Sequence, residues 1–268
     1  MSKTPWRLWV LGSGTALPSA GRDNTYLALE AGRVCWLIDC AAAPYRRLLQ
    51  VGLSPEHLAG VVLTHSHADH IYGLPALLFQ LALAGRQTLL PIYGLPETLR
   101  VAQQIVAAFE LEGHCVPHEW CSVEAGSDIS VAGDDEGQLH FETVEHSRPT
   151  IGVRITAPND CVAVYSGDTE PCPGLLDLAR GARWLIHECT TPQPFSGHSS
   201  PEDVAHTAVE AGVECVGIVH YDPVYVLPKA ELLARIAAAG FQGKVHVLEE
   251  MDAVVFRKVC QADFLKEL

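Results

Sequence analysis

The sequence predicts an α/β fold in which two β-sheets pack face to face, with helices on the outside. Two observations lead to this fold class. Short apolar runs rich in Val, Ile and Leu alternate with helical patterns, and the alternation occurs in two stretches of similar size. Between them, residues 133–137 read GDDEG, the loosest segment of the chain. Since a sheet must bury an apolar face, two such halves predict packed sheets. We expect one domain, residues 1–268, of two pseudo-symmetric halves with a seam near 130–138.

Each predicted element follows from local composition and periodicity. Pro96 and Glu97 begin one helical pattern, and Ser200 before Pro201 is a favourable start for another. The predicted strands of the first half are residues 7–11, 26–30, 34–38, 60–63 and 89–93, and its helices are 44–51, 70–84 and 96–109. In the second half, strands are expected at 138–144, 152–156, 161–165, 184–186 and 215–219, and helices at 174–180, 201–211 and 228–239.

Charge and composition exclude several classes of function. The net charge of −14 opposes non-specific binding to nucleic acid, because that binding depends on Lys and Arg. No apolar stretch approaches the length of a membrane span, so we expect no membrane partner. The nine cysteines form no C-x-x-C pair and are odd in number, which is typical of reduced thiols in a cytoplasmic protein.

The segment HSHADH, residues 65–70, carries the strongest chemical signal. It follows the apolar strand pattern of residues 60–63 directly. Burying so many imidazoles and a carboxylate is costly unless a partner satisfies them, which argues against an ordinary polar turn. His65 and His67 lie two apart in an extended segment, so both side chains can point the same way and bind one metal ion. Asp69 and His70 lie beyond the bend and are predicted to face a second ion.

Three further candidate ligands follow apolar strands in the second half. They are His146, Asp168 and His220. Each alone would be an ordinary loop residue, but together they complete the ligand set that the HSHADH segment requires. Imidazole and carboxylate suit Zn²⁺, Mn²⁺ and Fe²⁺. We therefore predict two divalent metal ions, zinc first, with manganese or iron as alternatives.

These residues resemble the metallo-β-lactamase superfamily of hydrolases, whose signature is H-x-H-x-D-H. The resemblance extends from Leu8 to about Val247 and implies that superfamily's fold, a four-layer αββα sandwich of two mixed β-sheets flanked by helices. It also implies the distribution of the ligands: His65, His67 and His146 for one ion, Asp69, His70 and His220 for the other, and Asp168 as the bridge between them.

A narrower resemblance is to the ribonuclease Z-like subgroup. The segments GSGTALPSAGRDNTYLAL, HADHIYGLPALL and HECTTPQPFSGHSSPEDVAHTAVEAG are similar to that subgroup, and the last implies that Glu188 and His198 act near the scissile phosphate. Ribonuclease Z proteins commonly carry a long Gly/Pro-rich arm that holds tRNA. Here only residues 147–167 separate His146 from Asp168, room for one hairpin and no arm, and the segment VGIVHYDP is more similar to other branches of the superfamily.

The expected function is hydrolysis of a phosphodiester by a hydroxide held between two metal ions. Asp69 is expected to accept a proton as well as bind metal, and His198 to donate one to the leaving oxygen with Glu188 orienting it. The expected substrate is a small-molecule or nucleotide phosphodiester, with tRNA left open and a homodimer implied by resemblance. The alternatives are a thioester, lactone or sulfate-ester hydrolase of the same superfamily, or a non-catalytic metal-binding protein.

Overall fold

Two β-sheets form the centre of the computed structural model, which describes residues 5–131, 136–257 and 264–265. The first sheet contains, in chain order, β1 (Arg7–Gly12), β2 (Tyr26–Ala31), β3 (Val34–Ile38), β4 (Leu58–Val62), β5 (Leu90–Gly94), β6 (His118–Ser122), β14 (Ala253–Val255) and β15 (Phe264–Leu265). The second contains β7 (Asp128–Val131), β8 (Gly137–Val144), β9 (Thr150–Thr156), β10 (Val162–Tyr165), β11 (Trp184–Glu188), β12 (Cys215–Val219) and β13 (Lys244–Val247).

Both sheets are mixed. The spatial order of the first sheet is β15-β14-β1-β2-β3-β4-β5-β6, and the pairs from β3 to β6 are parallel. The second has the order β13-β12-β11-β10-β9-β8-β7, with parallel pairs from β10 to β13. The other pairs in each sheet are antiparallel.

Helices cover the outer face of each sheet. Beside the first sheet lie α1 (Pro44–Gln50), α2 (Ala68–Ile71), α3 (Leu74–Leu83) and α4 (Pro96–Ala108); beside the second lie α5 (Pro173–Ala179), α6 (Pro201–Ala211) and α7 (Lys229–Ala238). Alternation along the strands explains this arrangement. In β1, Leu8 and Val10 enter the apolar layer between the sheets, while Trp9 and Leu11 pack on the helical side. The predicted four-layer αββα sandwich is confirmed.

The boundary between the sheets differs from the predicted seam. Strands β7 and β8 pair across the 130–138 stretch, and both belong to the second sheet. The chain leaves the first sheet at Ser122 and enters the second at Asp128, a few residues earlier. Residues 132–135, within the predicted seam, lie outside the described residues. Strands β14 and β15 return to the first sheet, so the second half of the chain contributes two strands to that sheet.

The helix predicted over residues 70–84 is divided in two. It ends as α2 at Ile71 and restarts as α3 at Leu74. Gly73 lies at the break, where its N–H donates to the carbonyl oxygen of Cys40 at 2.8 Å. A Cβ on Gly73 would lie 2.8 Å from that oxygen and 2.9 Å from the carbonyl oxygen of Ala41. Close packing of two backbones therefore sets where the helix breaks.

Polar residues concentrate at one edge of the sandwich. Segments carrying His, Asp and Glu follow the carboxyl ends of β3, β4, β8, β10, β11 and β12. Parallel strands place their carboxyl ends at the same edge of a sheet, so these segments converge there. Within the described ranges, no helix combines the length and apolar character needed to cross a bilayer.

We expect Gly73→Ala to lower the free energy of unfolding by roughly 1–3 kcal/mol, because the added methyl group forces the Cys40–Ala41 backbone away. Urea denaturation measures this. Gly21→Ala is the matched control: a Cβ there meets no atom within 4 Å, so its effect should stay within about 0.5 kcal/mol. Equal stability of the two variants would contradict the backbone-packing explanation.

Candidate metal centre

Three of the predicted histidine ligands lie close together at this edge of the sandwich. His67 Nδ1 lies 3.1 Å from His65 Nε2 and 3.0 Å from His146 Nε2. The carboxylate of Asp168 approaches the same group, with Oδ2 3.8 Å from His65 Nε2. These four side chains come from the loop after β4 and from the segments after β8 and β10, and their donor atoms could hold a metal ion.

A second group lies on the other side of Asp168. Asp69 Oδ2 is 3.4 Å from His70 Nε2 and 3.4 Å from His220 Nε2. Asp168 Oδ2 is 3.5 Å from each of the same two nitrogens. The structure thus brings all seven predicted residues together in two candidate donor groups, and Asp168 and His220 form a third candidate group with His198.

The outward nitrogens of three imidazoles have polar partners. His146 Nδ1 donates to the carbonyl oxygen of Gly197 at 2.6 Å, and His70 Nδ1 donates to Asp39 Oδ2 at 2.8 Å. His67 uses the opposite ring nitrogen, with Nε2 3.4 Å from the hydroxyl of Ser147. A neutral imidazole that donates from one nitrogen carries a lone pair on the other. Neutral His146 therefore directs the lone pair of Nε2 into the cluster, and His70 does the same once its Nε2 is deprotonated.

Two threonine hydroxyls fix the remaining pair of rings. The Thr64 hydroxyl donates to Asp39 at 2.9 Å and so accepts from His65 Nδ1, 3.1 Å away. The Thr190 hydroxyl donates to Glu188 Oε2 at 2.6 Å and accepts from His220 Nδ1, also at 2.6 Å. Hydrogen bonds of this kind orient histidine ligands in metal sites.

The donor set matches a divalent cation. His70 Nε2 and Asp168 Oδ1 are among the buried polar atoms of the described residues that have no hydrogen bond. Buried polar atoms normally have a partner, so two orphaned atoms within one cluster require one. Inward imidazole lone pairs and carboxylate oxygens are ligands that Zn²⁺ accepts. The cluster could therefore hold a divalent metal ion.

The pKa values separate the rings of the cluster: His65, His67 and His146 stay neutral, whereas the neighbouring carboxylates favour a protonated His70. Burial lowers the pKa of His65 well below its usual range, and burial also lowers the pKa of His67 and His146, which keeps these rings neutral. Burial opposes ionisation of Asp168, but His220 and His70 hold its pKa well below the usual range. Burial would lower the pKa of His70, but the neighbouring carboxylates of Asp168 and Asp39 raise it well above its usual range. The carboxylates therefore attract positive charge to this point.

Asp39, which sequence reasoning missed, supports both the loop and one ring. It is fully buried, has a φ of 64°, and accepts from the Thr64 N–H at 2.8 Å as well as from the Thr64 hydroxyl and His70. The available signal was a lone carboxylate directly after the apolar run of β3. Thr190 was also missed, because a threonine in a loop has no distinguishing pattern.

Glu188 and His198 lie together at the edge of the cluster. His198 Nδ1 donates to Glu188 Oε1 at 2.8 Å, and Glu188 is fully buried. Burial lowers the pKa of His198, but the hydrogen bond to Glu188 raises it above its ordinary value. The His198 ring centre is 4.8 Å from that of His146. A cavity of about 480 Å³ opens over the centre and is lined in part by His198, Asp69 and His220.

We expect Asp39→Asn to weaken metal binding by about 10–100-fold, because an amide supports the His70 ring less well than a carboxylate does. Competition with a chelating dye measures the affinity. Asp222→Asn is a matched control, since Asp222 is similarly buried and, in the described part of the chain, accepts a hydrogen bond from the backbone N–H of Val224 rather than from an imidazole. An unchanged affinity in the Asp39 variant would contradict the supporting role.

Comparisons with known proteins agree with this geometry. The family model for the beta-lactamase superfamily domain matches residues 36–221. A ribonuclease Z of Mycolicibacterium gilvum is 31% identical, covering 91% of this chain and 94% of that protein. A ribonuclease Z of Methanothermobacter thermautotrophicus is 28% identical, covering 80% and 86%.

Solved structures show the same fold. The metallo-beta-lactamase fold protein YhfI from Bacillus subtilis superposes with a TM-score of 0.79 at 21% identity, over 94% of this chain and 99% of that one. The short form of human tRNase Z gives 0.71 at 21% identity, with the same coverage. The chain therefore belongs to the metallo-β-lactamase superfamily, in its ribonuclease Z-like group of metal-dependent hydrolases.

Proposed function

We propose that this protein is a phosphodiesterase with a dinuclear zinc site. The observation that carries the proposal is the position of Asp168 Oδ2, within 3.5–3.8 Å of imidazole nitrogens from both donor groups. A carboxylate in that position can bridge two ions. The relatives named ribonuclease Z support a phosphodiester as the bond cleaved.

The proposed ligands divide as the two groups do: His65, His67 and His146 for one ion, Asp69, His70 and His220 for the other, with Asp168 shared. Nitrogen-rich sets with some carboxylate suit zinc, although manganese and iron accept the same atoms. Two bound ions supply an activated water and neutralise charge on the phosphoryl oxygens.

His198 is the proposed proton donor to the leaving oxygen. Its Nδ1 is committed to Glu188, so Nε2 is the nitrogen left to act on a substrate. Glu188 is positioned in turn, since it also accepts from the backbone N–H groups of Thr169, Thr190 and Ser199. Asp69 is the proposed proton acceptor: burial raises its pKa, but hydrogen bonds with His220 and His70 bring it below the ordinary value, so it stays ionised.

The size of the RNA substrate is a further part of the proposal. Residues 147–167 contain β9, the turn after it and β10, and they form no arm of the kind that grips tRNA. A short RNA or nucleotide phosphodiester therefore suits the chain, and processing of tRNA precursors is the alternative to test. The homodimer implied by resemblance is checked by light scattering of the purified protein.

Removing the metal should abolish hydrolysis of bis(p-nitrophenyl) phosphate, and zinc or manganese should restore it. We expect Asp168→Ala to lose both bound metal and turnover, because each donor group loses its shared carboxylate. Metal content by emission spectroscopy and the initial rate measure the two effects. Full activity of Asp168→Ala would contradict the dinuclear proposal.

Replacing His198 by Ala should lower kcat by about 10²–10⁴-fold and leave the metal content intact, because the ring transfers a proton and is not a ligand in this proposal. Glu188→Gln should lower kcat less. The matched control is His206→Ala, an exposed histidine on α6. Loss of metal from His198→Ala would instead assign the ring to metal binding.

A further inference from the structure

The lining of the cavity over the metal centre is partly apolar. Leu17, Tyr225 and Val226 line it together with the histidines and carboxylates. Leu17 is 59% exposed and Tyr225 is 47% exposed, although neither contributes to the three apolar cores. Large apolar side chains exposed beside a polar site commonly mark a place where a ligand binds.

The segment bearing Leu17 is held in place by hydrogen bonds. The Asn24 side-chain amide donates to the carbonyl oxygens of Thr15 at 2.8 Å and Ala16 at 3.2 Å. The Thr15 hydroxyl donates to the Leu17 carbonyl oxygen at 3.1 Å. Tyr72, which follows α2, donates to Asn24 Oδ1 at 3.1 Å, so the segment is tied to the HSHADH loop.

The segment bearing Tyr225 is held in the same way. The Asp222 carbonyl oxygen accepts from the N–H groups of Tyr225 and Val226, at 3.2 and 2.9 Å. The Tyr221 N–H donates to the Ser13 carbonyl oxygen at 3.2 Å, which joins this segment to the one bearing Leu17. Leu17 and Tyr225 therefore line one cavity from backbone segments that hydrogen bonds connect.

No Lys or Arg lines the cavity among the described residues. Arg22, on the Leu17 segment, donates to the Ser13 hydroxyl and the Leu248 carbonyl oxygen and lies over the Tyr221 ring. Arg148, two residues after His146, is exposed and does not line the cavity. Affinity for a polyanion requires several Lys or Arg contacts, and the net charge of −14 adds repulsion.

We infer that Leu17 and Tyr225 form a subsite for one flat, uncharged ring, a nucleobase or an aryl group, attached to the phosphate bound at the metal centre. This inference rests on the proposed function and narrows it. Apolar contact on the Leu17–Tyr225 surface selects the substituent, while the metal centre binds the phosphate. The substrate is a short phosphodiester rather than a polyanion gripped along its backbone.

Calorimetry on the zinc-loaded protein tests the subsite without requiring turnover. In one arm, phenylphosphonate should bind about tenfold more tightly than methylphosphonate, because only the phenyl ring reaches the apolar surface. In a second arm, uridine 5′-monophosphate is compared with ribose 5-phosphate. A preference in the first arm alone identifies an aryl group as the substituent, and one in the second identifies a nucleobase.

Leu17→Ser and Tyr225→Ser should each reduce the preference for the ring-bearing ligand to about twofold or less, because each removes apolar surface that the ring contacts. Both side chains are exposed, so the substitutions should leave the fold intact. Val224→Ser is the matched control: Val224 is 73% exposed, adjacent to Tyr225, and does not line the cavity. The preference should persist in that variant. Retention of the preference in both test variants, or its absence from the unmodified protein in both arms, would overturn the subsite.

A third titration uses a 3′-extended tRNA precursor at rising salt concentration. We expect binding no tighter than that of a dinucleotide, with little dependence on salt. Much tighter binding that weakens steeply with salt would overturn the inference of a short substrate. Failure of the phosphodiesterase proposal can be told apart from failure of the subsite. It would appear as no turnover of bis(p-nitrophenyl) phosphate, whether or not the protein prefers ligands that carry a ring.

Discussion

Imidazole nitrogens and carboxylate oxygens that are buried at one point need a proton or a cation between them, and the arrangement at the edge of this sandwich depends on that requirement. His67 Nδ1 lies within 3.1 Å of two other imidazole nitrogens, and Asp168 has a buried oxygen without a hydrogen bond. A cation resolves both problems at once. The surrounding hydrogen bonds prevent the rings from turning away, so the chain is organised to bind metal before metal arrives.

This organisation depends on how the strands end. Six strands deliver polar segments to one edge, and groups buried just behind it direct the rings. Asp39 and Thr64 orient His70 and His65, while Glu188 and Thr190 orient His198 and His220. The carboxylate of Asp39 thus orients the His70 ring, and the carboxylate of Glu188 orients His198, the proposed proton donor. The same hydrogen bonds therefore orient both the proposed metal ligands and the proposed proton donor.

Much of this was predictable from the sequence, and what was missed has physical causes. Strands β4, β10 and β12 are apolar runs that lead within three residues to His65, Asp168 and His220, so both the strand and its candidate ligand were evident. Strands β6 and β7 have the sequences HEWCS and DISV, too short and polar to be distinguished from loops. The role of Asp39 depends on contact with His70, 31 positions away, which no local pattern encodes.

The most direct test of the two-ion site is a crystal structure of the zinc-loaded protein with data collected on both sides of the zinc absorption edge. We expect two anomalous peaks about 3.5–4 Å apart. One should lie among His65, His67 and His146, and the other beside Asp69, with Asp168 between the two. A single peak, or two peaks away from these side chains, would contradict the two-ion centre.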